Sequence, residues 1–512
     1  MKLGELLHGL DVRRIDGGLN VEITGLSYDS RQTRPGYLYF SMARDPIRNR
    51  ANIDDALSRG ARAVVVGGWD GGIARPAVTL VESERPCLLM GAAASRFFGA
   101  PSERVDLIGI TGTSGKTTTS YLLASIFEAA GMPTGIIGTI GIFIAGKKIY
   151  HGLTTPESID FESALAQMER EGVRHAAAEV SSIGIAEGRV VALSFRACMF
   201  TNLGRDHLDY HATIEDYFAA KLRLFTEILP RSRRPETVAV VRGDDPFGRR
   251  VLESVKGPKI SFGLDRSLDA YPEKFDADLS GFRATLSVLG KKIDIDSPLI
   301  GEINLLNILG ASALSVAVGI KPEAVADGVR RCAPAPGRLE AIPAKPGVTV
   351  LVDYAHKPDA LEAVLTALRR IGARRIVCVF GCGGDRDRGK RPIMGEIAAR
   401  LADLPVLTSD NPRSEDPMAI IAEVEQGLIA AGRARIVNPK KFAGAPAIGG
   451  YIVEPDRRAA IALALALASA GDAVLIAGKG HEDYQLVAGR VLPFDDRVVV
   501  REIAAELGGG QS

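Results

Sequence analysis

Residues 105–131 read VDLIGITGTSGKTTTSYLLASIFEAAG: an apolar strand, a Gly/Thr loop, and a helical pattern that stops near Gly131. That order is the setting a phosphate-binding loop requires. Glycines let successive backbone N–H groups turn onto phosphate oxygens, and the helix N-terminus adds its positive dipole. Gly112, Thr113, Ser114, Gly115, Lys116, Thr117 and Thr118 form the loop and the first helical turn. Lys116 supplies a point charge for the outer phosphates, and the Thr117 hydroxyl can hold Mg²⁺. Ile110 stands where the common form of this motif has its first glycine. A chance Gly/Thr turn does not account for the strand before it and the helix after it. The loop argues for a nucleotide and says little about its use.

Outward from this loop the chain separates into three zones, giving expected domains at 1–100, 101–335 and 336–512. The first is a short mixed segment with strand-like TGLSYDS and YLYFSM around a turn at Pro35-Gly36, then a helix, turn and buried strand in ALSRGARAVVVGG. The second carries the phosphate loop and ends at CAPAPGR, residues 332–338, where Pro334 and Pro336 forbid a continuous helix. The third repeats short apolar strands (VTVLVDY, RRIVCVFG, PVLTSD, DAVLIAG) between helical stretches such as DALEAVLTALRRIG. Such alternation predicts a parallel, doubly wound sheet. The expected fold is α/β throughout: a small N-terminal domain, a central P-loop ATPase-type parallel-sheet domain, and a C-terminal Rossmann-like domain.

Bulk properties narrow the function. A chain of 512 residues exceeds one hydrophobic core, so about two to four domains are expected. A net charge of +1 gives no reason to expect nucleic acid or an anionic membrane as partner. Five scattered cysteines with no C-x-x-C pair read as reduced thiols, neither a disulfide frame nor a zinc site. The run IALALALASAGDAVLIAG is broken by Asp472 into a helix and a strand, short of the ~20 apolar residues of a membrane span. The N-terminus has no export-type apolar core. A cytoplasmic monomer is expected.

Glu179 ends the apolar run HAAAEV, at the end of a buried strand. An uncompensated acid there is costly, so a cation should lie nearby. It could be an Arg or Lys, but beside a phosphate loop a metal is the better fit. FTNLGRDHLDYH (200–211) then places His207 and His211 directly after a strand, where α/β sites form. In YFAAKLRLF, Lys221 falls inside an apolar helical stretch. It is either a buried neutral lysine or one that reacts with CO₂ to become an anionic metal ligand.

Taken together these segments resemble the Mur ligase family, the amide ligases that build the peptidoglycan stem peptide. TGTSGKTT, Thr154-Thr155-Pro156, EVSS, FTNLGRDHLDYH, Lys221, APGRLE, VDYAHKPDAL, GCGGDRDRGKRP, SDNPRSEDP and AGKGHE occur in family order over nearly the whole chain. The resemblance implies ATP and Mg²⁺ as cofactors. It makes Lys116, His207 and Lys221 catalytic, with Thr117, Glu179, His207 and a carbamylated Lys221 as metal ligands. Asn304, Asn307, Arg338, Asp353 and His356 complete the ATP contacts. It also implies that a substrate carboxylate attacks ATP to give an acyl phosphate, which an amine then displaces, with domain closure excluding water. Asp410-Asn411-Pro412-Arg413 is similar to the signature of members that add meso-diaminopimelate, with Arg386, Gly478 and Glu482 completing that site. A distal carboxylate calls for a bidentate partner, which Arg413 offers and which lysine as substrate would leave unpaired.

The acceptor, by the same resemblance UDP-N-acetylmuramoyl-L-alanyl-D-glutamate, would meet Ser30, Thr154, Thr155, Ser181, Glu187 and Arg189. Here the sequence departs from the family. The SSH triplet is Ser181-Ser182-Ile183, Glu187 replaces a usual Gln, Lys357 interrupts DYAHTP, and MARDPIRNRANID replaces the glycine and turn near the uridine. An extra acid near an anionic substrate weakens binding unless it is paired. A paralogue with another acceptor and an idle Mur-like subunit are the alternative readings. Intact Lys116, Thr117, Glu179, His207 and Lys221 oppose the second. The DNPR and GKGHE segments oppose a folate polyglutamate synthetase.

Overall fold

A computed structural model describes residues 1–43, 45–68, 78–150, 152–437 and 449–508. Arg44, within the divergent MARDPIRNRANID stretch, lies outside them. The chain forms two compact units, Met1–Phe262 and Gly263–Ser512.

The first unit holds two sheets. One has five strands in the order Arg14–Asp16, Thr79–Glu82, Ala63–Val66, Tyr37–Phe40, Gly25–Ser27. All of its pairs are parallel except the first. The segment TGLSYDS yields a strand only over Gly25–Ser27, because Asp29 accepts the Arg31 N–H and turns the chain into a 3₁₀ helix, Ser30–Gln32. The other sheet runs Lys259–Phe262, Val238–Arg242, Phe195–Phe200, Asp106–Thr111, His175–Glu179, Thr134–Gly138, and continues into an antiparallel hairpin, Gly141–Ile144 and Lys147–Tyr150. Its central pairs are parallel, with Glu179 opposite Ile110 and Phe200 opposite Thr111. Three strands therefore end level, and the loops that follow them open on one edge. In open α/β sheets, that carboxyl edge is where ligands bind.

The second unit begins with three antiparallel strands, Ala270–Asp278, Gly281–Val288 and Lys291–Ser297, and two helices, Glu302–Ala317 and Pro322–Arg331. A seven-stranded sheet follows in the order Glu340–Ala341, Thr349–Asp353, Asp472–Ala477, Arg375–Phe380, Leu404–Leu407, Gly450–Val453, Ala434–Arg435. Only the Glu340–Ala341 pairing is antiparallel. Side chains alternate between two cores: Leu351, Cys378, Leu407 and Leu475 pack on one face, and Val350, Val377, Val406 and Val474 on the other. This is the doubly wound sheet that the apolar runs predict. IALALAL is a helix ending at Leu467, and DAVLIA is the strand Asp472–Ala477.

Candidate active site

At the level edge of the first unit, the loop after strand Asp106–Thr111 turns sharply at Gly112, whose φ is 149°. A Cβ there would sit 1.9 Å from Thr201 Oγ1, so only glycine fits. Lys116 opens the helix Lys116–Ala129 and folds its ammonium back onto the carbonyls of Gly112 (2.9 Å) and Thr113 (3.1 Å). Thr118 lies in the same first turn.

The loop is braced from segment 201–204, which spacing alone does not reveal as part of the site. Asn202 Oδ1 accepts the Ser114 N–H at 3.0 Å, and its backbone carbonyl accepts that of Thr113 at 2.9 Å. The Thr201 hydroxyl donates to the Ser114 carbonyl at 2.6 Å, and Gly204 N–H donates to Thr113 Oγ1 at 2.9 Å.

Glu179 is 1% exposed and fully engaged. Thr117 Oγ1 donates to its Oε1 at 2.9 Å, Thr139 N–H to Oε1 at 2.9 Å, and Thr139 Oγ1 to Oε2 at 3.0 Å. Gly138 is required beside it, because a Cβ there would lie 2.3 Å from Oε1. Burial of the acid is thus offset by hydroxyl and amide donors. A hydroxyl and a carboxylate oxygen side by side suit a hard cation that keeps waters and takes phosphate oxygens. Among the described residues, no three His, Cys, Asp or Glu side chains gather to hold a metal by themselves.

Lys221 is 1% exposed and also donates to the Gly112 carbonyl, at 2.9 Å, with its ammonium 4.6 Å over the Tyr217 ring. Both lysine ammoniums bond one oxygen, so they stand within about 6 Å of each other, the range over which like charges repel appreciably. His207 approaches Tyr217 from the other direction, with ring centroids 6.0 Å apart and its Nε2 3.4 Å from Asp206. Its φ of 51° is left-handed, an uncommon state for a non-glycine residue. His211 is turned instead to Ser182, with Nε2 2.9 Å from the hydroxyl, and burial pushes its pKa down.

The expected acceptor residues continue from Glu179. Thr154 Oγ1 is 3.0 Å from Thr139 Oγ1, and Thr155 donates to the Glu179 carbonyl at 2.9 Å. Ser181 takes a hydrogen bond from Thr155 at 3.1 Å and caps the helix Ser182–Ala186. Arg189 reaches the Thr155 carbonyl at 3.2 Å and forms an ion pair with Glu157 at 2.8 Å. Burial pushes the Glu157 pKa up, while Arg189 pulls it down. Glu187 is engaged too, accepting from the Tyr210 hydroxyl at 2.6 Å. Ser30 sits apart, at the start of the 3₁₀ helix that follows the strand Gly25–Ser27. Its hydroxyl and Arg59 hold the Asp55 carboxyl below its usual pKa, and a cavity of 670 Å³ lined by Tyr28, Asp29, Arg31, Tyr37 and Arg59 opens alongside.

In the second unit, Asn307 Nδ2 donates to Asn304 Oδ1 at 3.1 Å, and Asn304 to the Ile300 carbonyl at 2.8 Å. Asp353 accepts the Leu339 and Ala355 N–H groups, each at 2.8 Å. Burial raises the Asp353 pKa against the pull of Arg338, whose guanidinium lies 4.7 Å from the Tyr354 ring centroid. Burial holds His356 neutral, pushing its pKa down to about 3, and its Nδ1 lies 2.8 Å from the Tyr354 carbonyl.

Loops at the carboxyl edge of the seven-stranded sheet bring the remaining set together. Gly478 N–H donates to the Asp353 carbonyl at 3.0 Å, and Asp410 is buried beside Gly478. Asn411 Nδ2 donates to Glu482 at 2.8 Å. Gly384 N–H donates to the Asn411 carbonyl at 2.9 Å, across from Pro412. Arg413, in a left-handed conformation with φ 54°, donates from Nη1 to the Gly384 carbonyl at 2.7 Å. Arg386 is not drawn in: it is exposed and meets the Asp385 carbonyl at 3.4 Å. The sequence reading passed over buried Arg391, which ties Glu415 and Glu423 to the Gly383 carbonyl beneath these loops.

A phosphate loop on one parallel sheet, joined in one chain to a doubly wound sheet whose loops gather carboxylates, amides and guanidiniums, has the make-up of an ATP-dependent ligase. Residues 110–315 match the Mur ligase middle domain and 337–480 the Mur ligase glutamate ligase domain. The chain belongs to the Mur ligase family, the ATP-dependent amide ligases. It is 42% identical over 508 residues to the UDP-N-acetylmuramoyl-L-alanyl-D-glutamate–2,6-diaminopimelate ligase of Geobacter metallireducens, covering 99% of each chain. It is 41% identical over 516 residues to the protein of the same name from Solibacter usitatus, covering all of both. A solved structure of a ligase so named superposes with a TM-score of 0.67 at 31% identity, over 99% of each chain. No helix among the described residues is long and apolar enough to cross a membrane.

Proposed function

We propose that this ligase joins meso-2,6-diaminopimelate to UDP-N-acetylmuramoyl-L-alanyl-D-glutamate, converting ATP to ADP and phosphate. The observation that carries the reading is the convergence of Asp410, Asn411, Arg413, Gly478 and Glu482 on one sheet edge, in a chain 42% identical over its full length to ligases of that name.

Lys116 and the loop N–H groups hold the outer phosphates; Thr117 and Glu179 would hold Mg²⁺, and His207 with a carbamylated Lys221 would support a second ion. Bound there, Mg²⁺ would supply positive charge to offset that of the transferring phosphoryl group. Thr154, Thr155, Ser181 and Arg189 orient the acceptor so that its carboxylate attacks the γ-phosphorus and ADP leaves. The diaminopimelate amine then attacks the acyl carbon, loses a proton, and expels phosphate. The crowding of Lys116 and Lys221 on one carbonyl supports carbamylation, which would replace one of two neighbouring positive charges by a negative one. Glu187 is held by the Tyr210 hydroxyl, which fixes the direction of its carboxylate beside the acceptor residues. The division at 100 and 335 into acceptor, ATP and amino-acid domains belongs to the same proposal. A cytoplasmic site of action goes with ATP and a UDP-linked precursor as substrates.

The deciding experiment measures phosphate release with Mg-ATP and the UDP-linked dipeptide, offering meso-diaminopimelate or L-lysine. Release with diaminopimelate alone is expected. Release with neither, from protein that still binds ATP, would move the assignment to a different acceptor.

A further inference from the structure

The amino-acid pocket contains a charge that its proposed contacts do not include. Lys479 follows the strand Asp472–Ala477 and is 0% exposed. Its ammonium lies 3.0 Å from Glu482 Oε2 and 3.3 Å from Asn411 Oδ1, and 5.5 Å from the Tyr484 ring centroid. Asn411 closes the triangle by donating to the same Oε2 at 2.8 Å, while its own Oδ1 accepts the Leu486 N–H at 2.9 Å. Both donors thus meet one oxygen of Glu482. Among the described residues no donor meets Oε1, on a side chain that is 15% exposed.

The charges nearby do not balance. Arg457 is committed to Asp496 by two hydrogen bonds of 2.8 and 2.7 Å, both side chains fully buried. That leaves Lys479 as the positive charge facing two carboxyls, Glu482 and the buried Asp410, whose Oδ1 has no hydrogen-bond partner. Burial raises the Asp410 pKa and favours its neutral form, and an ammonium bound here would supply the positive charge that lets both acids ionise together. Lys479 cannot supply that contact from its buried position. It sets the rotamer and the charge of the residue that does.

We infer that Lys479 is a positioning residue for selection of the distal amine: by occupying Glu482 Oε2 together with Asn411, it presents Oε1 as the acceptor for a second ammonium on the incoming amino acid. This rests on the diaminopimelate reading above. Arg413 selects the distal carboxylate, and the Lys479–Glu482 pair selects the distal amine, so the two halves of the distal centre are recognised separately.

The test compares meso-diaminopimelate with 2-aminopimelate, which lacks only the distal amine, in wild type, Lys479→Met, Glu482→Gln and the double variant. Wild type should prefer diaminopimelate in kcat/KM by about tenfold or more, since a site built to hydrogen-bond a group rejects the analogue without it. In Lys479→Met the preference should fall toward one, through KM for diaminopimelate, with KM for ATP unchanged. Lys479→Met leaves a buried acid without its countercharge, and the double variant removes that strain. Its preference should match that of Glu482→Gln alone, because the lysine acts only through the glutamate. An unchanged preference in Lys479→Met, or additive losses in the double variant, overturns the inference while leaving the substrate reading intact. Absence of wild-type turnover with diaminopimelate overturns both.

Discussion

Two lysines on one carbonyl oxygen set the chemistry at the scale of single residues. Lys116 and Lys221 come from different helices and both donate to Gly112. Lys221→Ala should lower kcat by about a hundredfold or more, as loss of a metal-orienting anion does, and a short carboxylic acid added to the variant should restore part of it. Failure of several such acids would leave Lys221 a structural cation. Arg413→Ala should raise the diaminopimelate KM by about ten- to a hundredfold with ATP little affected, and equal losses for both would make it structural. Asn202→Ala should raise the ATP KM several-fold, because the Ser114 N–H that it holds would be released and the phosphate loop loosened. Local spacing made Lys116, Thr117 and Glu179 legible before any coordinates. Thr139 and Lys479 were not, since their contacts with Glu179 and Asn411 span 40 and 68 residues and no local pattern marks a partner that far away.

Secondary-structure elements were legible where burial is simple. The C-terminal strands are apolar on both faces, so their runs identify them directly. Of the antiparallel strands at 270–297, Ala270–Asp278 is largely exposed or half-buried and the other two bury mainly alternate positions, so none offers the apolar run that marks the C-terminal strands. One helix pair carries a titration of its own. Glu162, on Ser158–Arg170, is 1% exposed where that helix packs against Pro86–Phe97. Burial pushes its pKa up to about 8, with Ser95 opposing weakly and Glu103 adding to the rise. A raised pKa means that the folded state favours the neutral acid. Its stabilising effect is complete below the ordinary glutamate pKa and is lost as pH climbs through about 8. Stability, followed as melting temperature, should therefore decline from pH 5 to about 8, with this group contributing at most about 1.4 kcal/mol of free energy per pH unit. Glu162→Gln should flatten the profile and exceed wild type at pH 9. A profile unchanged by the substitution would mean that the acid finds a compensating partner.

For the whole molecule, cysteine usage gives a direct check. All five thiols are free, and Cys87 is the one not fully buried. A maleimide should label native protein at Cys87 at most and all five after denaturation, and a reductant should leave the melting temperature unchanged. Faster native labelling at several sites would mean that a unit opens readily. The level ending of the strands Asp106–Thr111, His175–Glu179 and Phe195–Phe200 has a consequence for how this lineage can vary. An inserted or deleted residue in any one of them would slide its loop by about 3.3 Å and turn every later side chain to the opposite face. Over the chain as a whole, which differs from its Geobacter metallireducens relative at more than half of the aligned positions, side-chain identity is free to vary. Length inside these three strands is not, because a gap in any of them would carry a loop of the site out of register with the other two.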